Sequence, residues 1–119
     1  DGQILAAQAL GLDACVSGNA NVVPELVVAL YEAASAGDLT RARGLQQKLN
    51  RVRELLGDGG DLSLFKQIMA RRGIPVGDVR APLLPAAPEL VEARWQELLA
   101  LEVEMKPLDK PKRARAPRS

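Results

Sequence analysis

Histidine is missing altogether. Its absence removes every histidine triad, imidazole general base and imidazole metal site from the chain, so no metal is expected here. Cysteine occurs once, at Cys15, which excludes an internal disulfide and fits a reducing, cytoplasmic setting. Aromatic residues are limited to Tyr31, Phe65 and Trp95, so the interior has to be built from Leu, Val, Ile and Ala. No apolar run approaches the roughly 18 residues that a membrane span requires, and no charged-then-apolar signal opens the chain. No membrane partner is expected.

What is present is an ordinary globular composition, 47% hydrophobic over 119 residues, enough for one core and too little for two. The net charge of +1 hides an asymmetry. Residues 1–105 carry 10 basic and 14 acidic side chains, a balance of −4, whereas 106–119 carry six basic residues against Asp109, a balance of +5. The first residue is Asp1 rather than Met, so processing or excision from a longer sequence is expected.

Along the chain, residues 3–10 are strong helix formers, and Gly11 stands where a helix C-terminal glycine belongs. Asp13–Ser17 is a short apolar run bounded by Gly11 and by Gly18-Asn-Ala-Asn21, and reads as a buried strand. From Val22 the period becomes helical: Pro24 suits a first turn, and Leu26, Val27, Leu30, Ala33 and Ala34 form one stripe. Gly37 ends that helix and Asp38 caps the next, whose apolar face is Leu39, Ala42, Leu45, Leu49, Val52, Leu55 and Leu56. Gly57-Asp-Gly-Gly60 breaks the chain. A further helix places Leu64, Phe65, Ile68 and Met69 inside and stops at Gly73. Four prolines make residues 74–88 extended. Glu89 to about Glu104 is the last helix, with Val91, Trp95, Leu98 and Leu99 on one face. After Lys106 there is no apolar period, and disorder is expected.

A lone buried strand would leave its backbone groups unpaired, each at about 1–3 kcal/mol. The chain supplies no neighbours for Asp13–Ser17, so it reads as a fragment. Helix, buried strand, small polar turn and helix is the grammar of a parallel α/β protein. In a (β/α)8 barrel the chemistry sits at the C-terminal strand ends, helped by helix N-termini. Here that end is Ser17-Gly-Asn-Ala-Asn21, the most site-like turn in the chain; plain helix capping explains it about as well.

Three ordered segments carry a family resemblance. Leu10-Gly-Leu-Asp-Ala-Cys-Val-Ser-Gly-Asn-Ala-Asn-Val-Val-Pro-Glu25 resembles the eighth strand and following loop of the dihydrodipicolinate synthase and N-acetylneuraminate lyase family, which are Schiff-base (class I) aldolases. Ala29–Asp38 and Ala42–Gln46 resemble its next two helices. Phe65–Met69, Arg72-Gly-Ile-Pro-Val-Gly77 and Val79–Pro85 resemble its helical C-terminal extension. The resemblance runs from Asp1 to about residue 101 and omits the basic tail. It differs from commoner members at Ala14 and Cys15, where small or branched residues vary, and at Asn19, where Thr is frequent.

The resemblance implies an α/β fold, the C-terminal part of a (β/α)8 TIM barrel. Residues 1–37 would be its last helix–strand–helix unit, 38–105 a helical extension and 106–119 a basic tail; the visible chain would be mainly α. It implies an aldolase or lyase acting on pyruvate or another 2-oxo acid and an aldehyde, commonly as a homotetramer, with no nucleic acid and no cofactor. A lysine of the sixth strand, a tyrosine of the fifth and a small-residue turn after the second do the chemistry, and none lies in this chain. Lys48 and Lys66 read as solvated helical lysines and Tyr31 as packing, so no catalytic residue is expected here and the chain alone should be inactive. Four positions carry over as substrate-binding: Asp1, Val16, Ser17 and Gly18. The bland alternatives are a helix cap for Asp1, barrel core for Val16 and strand-end geometry for Ser17 and Gly18. Cys15, on the face opposite Val16, is expected buried and inert.

Two other readings stay open. One is a small helical binding module whose basic tail meets nucleic acid or another anionic partner, disfavoured by the tail's lack of aromatics. The other is a structural domain of inactive barrel ancestry. The family reading hangs on Asp13–Ser17 being the closing strand of a barrel, and the same residues coiled into a helix or lying loose on the outside would overturn it.

Overall fold

The computed structural model describes residues 1–106, and the expected disorder after Lys106 falls outside them. Among the described residues there are five α-helices: α1 (Ile4–Ala9), α2 (Pro24–Ser35), α3 (Leu39–Leu55), α4 (Leu62–Arg71) and α5 (Pro88–Ala100). Two 3-10 turns, Asn19–Asn21 and Gly57–Gly59, complete the order. The described chain is mainly α, as expected.

Local chemistry sets the boundaries. Pro24 and Pro88 open α2 and α5, where a missing N–H costs no helix bond. Asp38 and Asp61 cap α3 and α4, their carboxylates accepting from the backbone N–H of Arg41 at 3.1 Å and of Leu64 at 3.0 Å. Between α3 and α4 the chain turns through Gly57, Asp58 and Gly59 at φ of 72°, 54° and 84°. Gly57 is required twice over, since a Cβ there would meet the Asp61 Cβ at 2.9 Å.

The helices enclose one apolar core. The expected stripes supply Leu26, Leu30 and Ala33 from α2, Ala42, Leu49, Val52 and Leu55 from α3, and Leu64, Phe65 and Ile68 from α4. Val91 and Leu98 of α5 close it, and α2 against α3 is its broadest contact. Each such Leu or Ile contributes about 1.5–3 kcal/mol by leaving water.

Several expectations are corrected. No strand occurs among the described residues: Asp13–Ser17 is irregular chain, exposed from Asp13 through Val16. The physical reason is the one that marked it as incomplete, because no second strand is there to share a ladder. Cys15, expected buried, is exposed for the same reason. Leu39 and Leu99, placed on buried faces, are about half exposed, and α5 stops at Ala100 instead of near Glu104. Tyr31, expected to pack, lies 44% exposed beside α1. Lys66 is not a freely solvated lysine; its Nζ donates to the Asp78 carbonyl at 2.7 Å and so pins the proline-rich segment to α4. The Ala86 N–H donates to the Ser63 hydroxyl at 2.6 Å, a second pin.

Candidate functional site

The turn after the exposed segment is tightly built. Asn19 is fully buried, and both its backbone N–H and its Nδ2 donate to Asp1 Oδ2, at 3.3 and 2.7 Å. The Ala20 N–H donates to the Ser17 hydroxyl at 3.0 Å, and Asn21 Nδ2 donates to the Gly18 carbonyl at 3.1 Å. Three of the four candidate positions therefore meet: Asp1, Ser17 and Gly18 belong to one hydrogen-bonded turn. Asp1 is not the cap of α1, whose N-cap is Gln3. Val16 stands apart, wholly exposed.

An open cavity of about 240 Å³ adjoins the turn, lined by Asp1, Gly18 and Asn21 together with Gly59, Leu62, Phe65 and Met69 of the α3–α4 turn and α4. Two buried acceptors of this turn, Asp1 Oδ1 and Asn19 Oδ1, have no hydrogen-bond partner among the described residues. Such atoms cost about 1–3 kcal/mol each when left unpaired. No cluster of three or more Cys, Asp or Glu side chains suited to a metal ion occurs among the described residues.

Two buried polar side chains from the later helices hold this turn, and sequence reasoning missed both. Gln46 of α3 accepts from the Leu5 N–H at 3.0 Å and donates to the Asp1 carbonyl at 3.1 Å and to Asn50 Oδ1 at 2.9 Å. Arg72, just past α4, is completely buried. Its Nη1 donates to the Val22 carbonyl and to Glu25 Oε2, and its Nη2 to Glu25 Oε1 at 2.8 Å and to the Lys106 carbonyl at 2.8 Å. Its Nε also donates to the Lys106 carbonyl, at 3.0 Å. A guanidinium has five N–H donors, and here all five are used. That satisfaction is what makes a buried cation tolerable.

Burial pushes the Glu25 carboxyl upward, but the hydrogen bond from Arg72, its backbone hydrogen bond and the guanidinium charge outweigh it, holding the group below its ordinary value. A signal for both residues was available. Gln46 falls between Ala42 and Leu49, and Arg72 continues Phe65 and Ile68, at three- and four-residue steps. A polar side chain on an apolar stripe has to find partners inside.

The geometry now meets the relatives. The family model described as the dihydrodipicolinate synthetase family matches residues 1–99. An uncharacterized DapA-like lyase of Halobacterium salinarum is 43% identical over 74 residues, which are 62% of this chain and 24% of that protein. The 2-dehydro-3-deoxy-D-gluconate/2-dehydro-3-deoxy-phosphogluconate aldolase of Thermoproteus tenax is 33% identical over 96 residues, 80% of this chain and 31% of that protein. Among solved structures, Proteus mirabilis N-acetylneuraminate lyase superposes with a TM-score of 0.79 at 26% identity, over 87% of this chain and 35% of that one. The chain thus spans about a quarter to a third of the relatives it matches. The condition set on Asp13–Ser17 fails as a test of identity, since those residues lie loose and the match runs straight through them. By that match across residues 1–99, this chain belongs to the dihydrodipicolinate synthetase family.

Proposed function

We propose that this chain is the C-terminal portion of an aldolase or lyase that acts on pyruvate or another 2-oxo acid and an aldehyde. Residues 1–37 would close a (β/α)8 barrel, 38–105 would form its helical extension, and 106–119 a basic tail. A lysine upstream of Asp1 attacks the keto carbonyl and loses water to form an imine. The protonated imine then accepts the electron pair of the carbon–carbon bond that breaks, or stabilises the carbanion that forms one. The observation that carries this reading is the family match over residues 1–99, together with an exposed segment, Asp13–Val16, that has no ladder of its own.

In this reading Val16, Ser17 and Gly18 end the last strand beside the bound keto acid. Asp1 lies at the end of the strand before it. The unpartnered acceptors Asp1 Oδ1 and Asn19 Oδ1 suit a donor from the upstream barrel or from a hydroxyl of the aldehyde. Lys48 and Lys66 take no part in catalysis; Lys66 is committed to the Asp78 carbonyl. The enzyme would be a cytoplasmic homotetramer. No helix among the described residues is long and apolar enough to cross a membrane.

The test has two steps. The upstream sequence should encode a strand-end lysine about 25–30 residues before Asp1, the spacing of one αβ unit. The full-length protein, treated with pyruvate and sodium borohydride, should then gain the mass of a reduced pyruvyl adduct on that lysine, whereas the 119-residue chain should gain none. A full-length protein that gains no adduct overturns the proposal.

A further inference from the structure

The five donors of Arg72 join three pieces of chain far apart in sequence: Val22 at the end of the 3-10 turn, Glu25 in the first turn of α2, and Lys106 beyond α5. Nothing about packing demands this. An apolar side chain continuing the Phe65 and Ile68 stripe would fill the same interior without a charge to satisfy. What the guanidinium adds is direction. Its planar fork fixes the Glu25 carboxylate through both oxygens, and the same Nη1 fixes the Val22 carbonyl.

Val22 is one short step from the candidate site. Its N–H donates to the Asn19 carbonyl at 2.9 Å, and the Asn21 N–H donates to the Gly18 carbonyl at 3.1 Å. Asn19 in turn holds Asp1 by two hydrogen bonds. A displacement of the Val22 carbonyl therefore passes through the turn to Gly18, Ser17 and Asp1. Gln46 holds Asp1 from the other side through its carbonyl. The turn is thus gripped from α3 and from the end of α4, both in the helical extension.

We propose that Arg72 is a positioning residue, setting the Ser17–Asn21 turn and its Asp1 partner for the 2-oxo acid and tying that setting to the chain beyond α5 through the Lys106 carbonyl. The inference rests on the aldolase reading for its catalytic consequence, and on the hydrogen bonds alone for its structural one. Arg72 touches no reacting atom. Its effect should appear as poorer substrate binding rather than as a loss of intrinsic chemistry.

The experiment uses the full-length enzyme and compares R72K, R72M and E25Q with R71M. R72K keeps the charge but cannot make the bidentate fork, and it serves where R72M fails to accumulate. R71M is the control, because Arg71 is exposed, pairs with Glu92 and lies 5.8 Å from the centre of the Trp95 ring. R72K should raise KM for the keto acid by about tenfold with kcat per borohydride-titrated site nearly unchanged, since small misplacements of binding groups have effects of that order. E25Q should move KM in the same direction by less, and R71M should leave it alone. If R72K and E25Q lower only the yield or the melting temperature while KM stays at the wild-type value, Arg72 is a packing residue and the proposal falls. Should the wild-type enzyme trap no keto acid, the aldolase reading fails. Amide exchange over residues 17–23 then decides the structural claim: faster exchange in R72K supports it, and unchanged exchange overturns it.

Discussion

The first 21 residues and the helices that follow obey different rules. From Asp38 to Ala100 most large apolar side chains on the predicted stripes are buried or packed against the core, Leu39 and Leu99 excepted, and Asp38 and Asp61 cap their helices. Before Pro24, Leu10, Leu12 and Val16 stand in solvent at 84%, 57% and 103% exposure. Tyr31 and Leu39 line the same open cleft as Leu12, extending that apolar surface to α2 and α3. The later region buries most of its own apolar faces; the earlier one leaves several uncovered. What joins them is polar: Gln46 and Arg72 reach from the later part to hold Asp1 and Val22 at the two ends of the earlier one.

The largest expected effect lies in the α3 core. Leu49 is fully buried in the middle of α3, and L49A should cost about 2–5 kcal/mol by transfer and cavity terms, read from urea unfolding. A loss below about 1 kcal/mol would mean that this core is looser than its burial implies. Next comes the polar junction. Q46L would strand the Leu5 N–H and the Asp1 carbonyl, and should cost about 1–3 kcal/mol. Amide exchange should rise at Leu5 with little change in α5. Uniform acceleration across the whole chain would show that the two regions unfold as one.

Acid sharpens the same junction. Because the Glu25 carboxyl is held below its ordinary value of 4.5 in the folded protein, its contribution is fully present above that value. It should fade as pH falls through the lowered folded value. The melting temperature of the wild type should therefore drop more steeply below about pH 4.5 than that of E25Q, which has no carboxyl to protonate there. Parallel curves would detach Glu25 from the stability of the fold. Smallest of all is the effect in the earlier region. V16S in the 119-residue chain should change stability by no more than about 0.5 kcal/mol, the range for exposed positions. In the full-length protein it should cost more, and an equal effect in both contexts would count against Val16 joining a barrel.

Much of the fold was legible because it depends on short-range chemistry. Pro24, Asp38, Asp61 and Pro88 each mark a helix start by what they lack or accept, and the three- and four-residue apolar steps give the buried faces of α2, α3 and α4. The apolar run at Asp13–Ser17 was legible only as a composition. A strand needs a partner for its ladder, and among the described residues there is none, so the segment is exposed coil and Cys15 with it. Leu99 was misplaced because an amphipathic stripe is wider than the contact that α5 makes with α3 and α4. The site residues divide in the same manner. Ser17 and Gly18 announced a turn by their size, but the network under that turn is built from Asp1, Asn19, Gln46 and Arg72, whose sequence separations of 18 to 50 residues no local pattern encodes.

The single thiol has a use that follows from its address. Cys15 lies in the middle of the segment that lacks partners, and no other sulfhydryl competes with it. A maleimide dye should label it quickly in the isolated 119-residue chain. On the proposed barrel reading, adding an upstream polypeptide should slow that reaction as the segment is covered. The chain carries, without any engineering, its own reporter for whether anything covers this exposed segment.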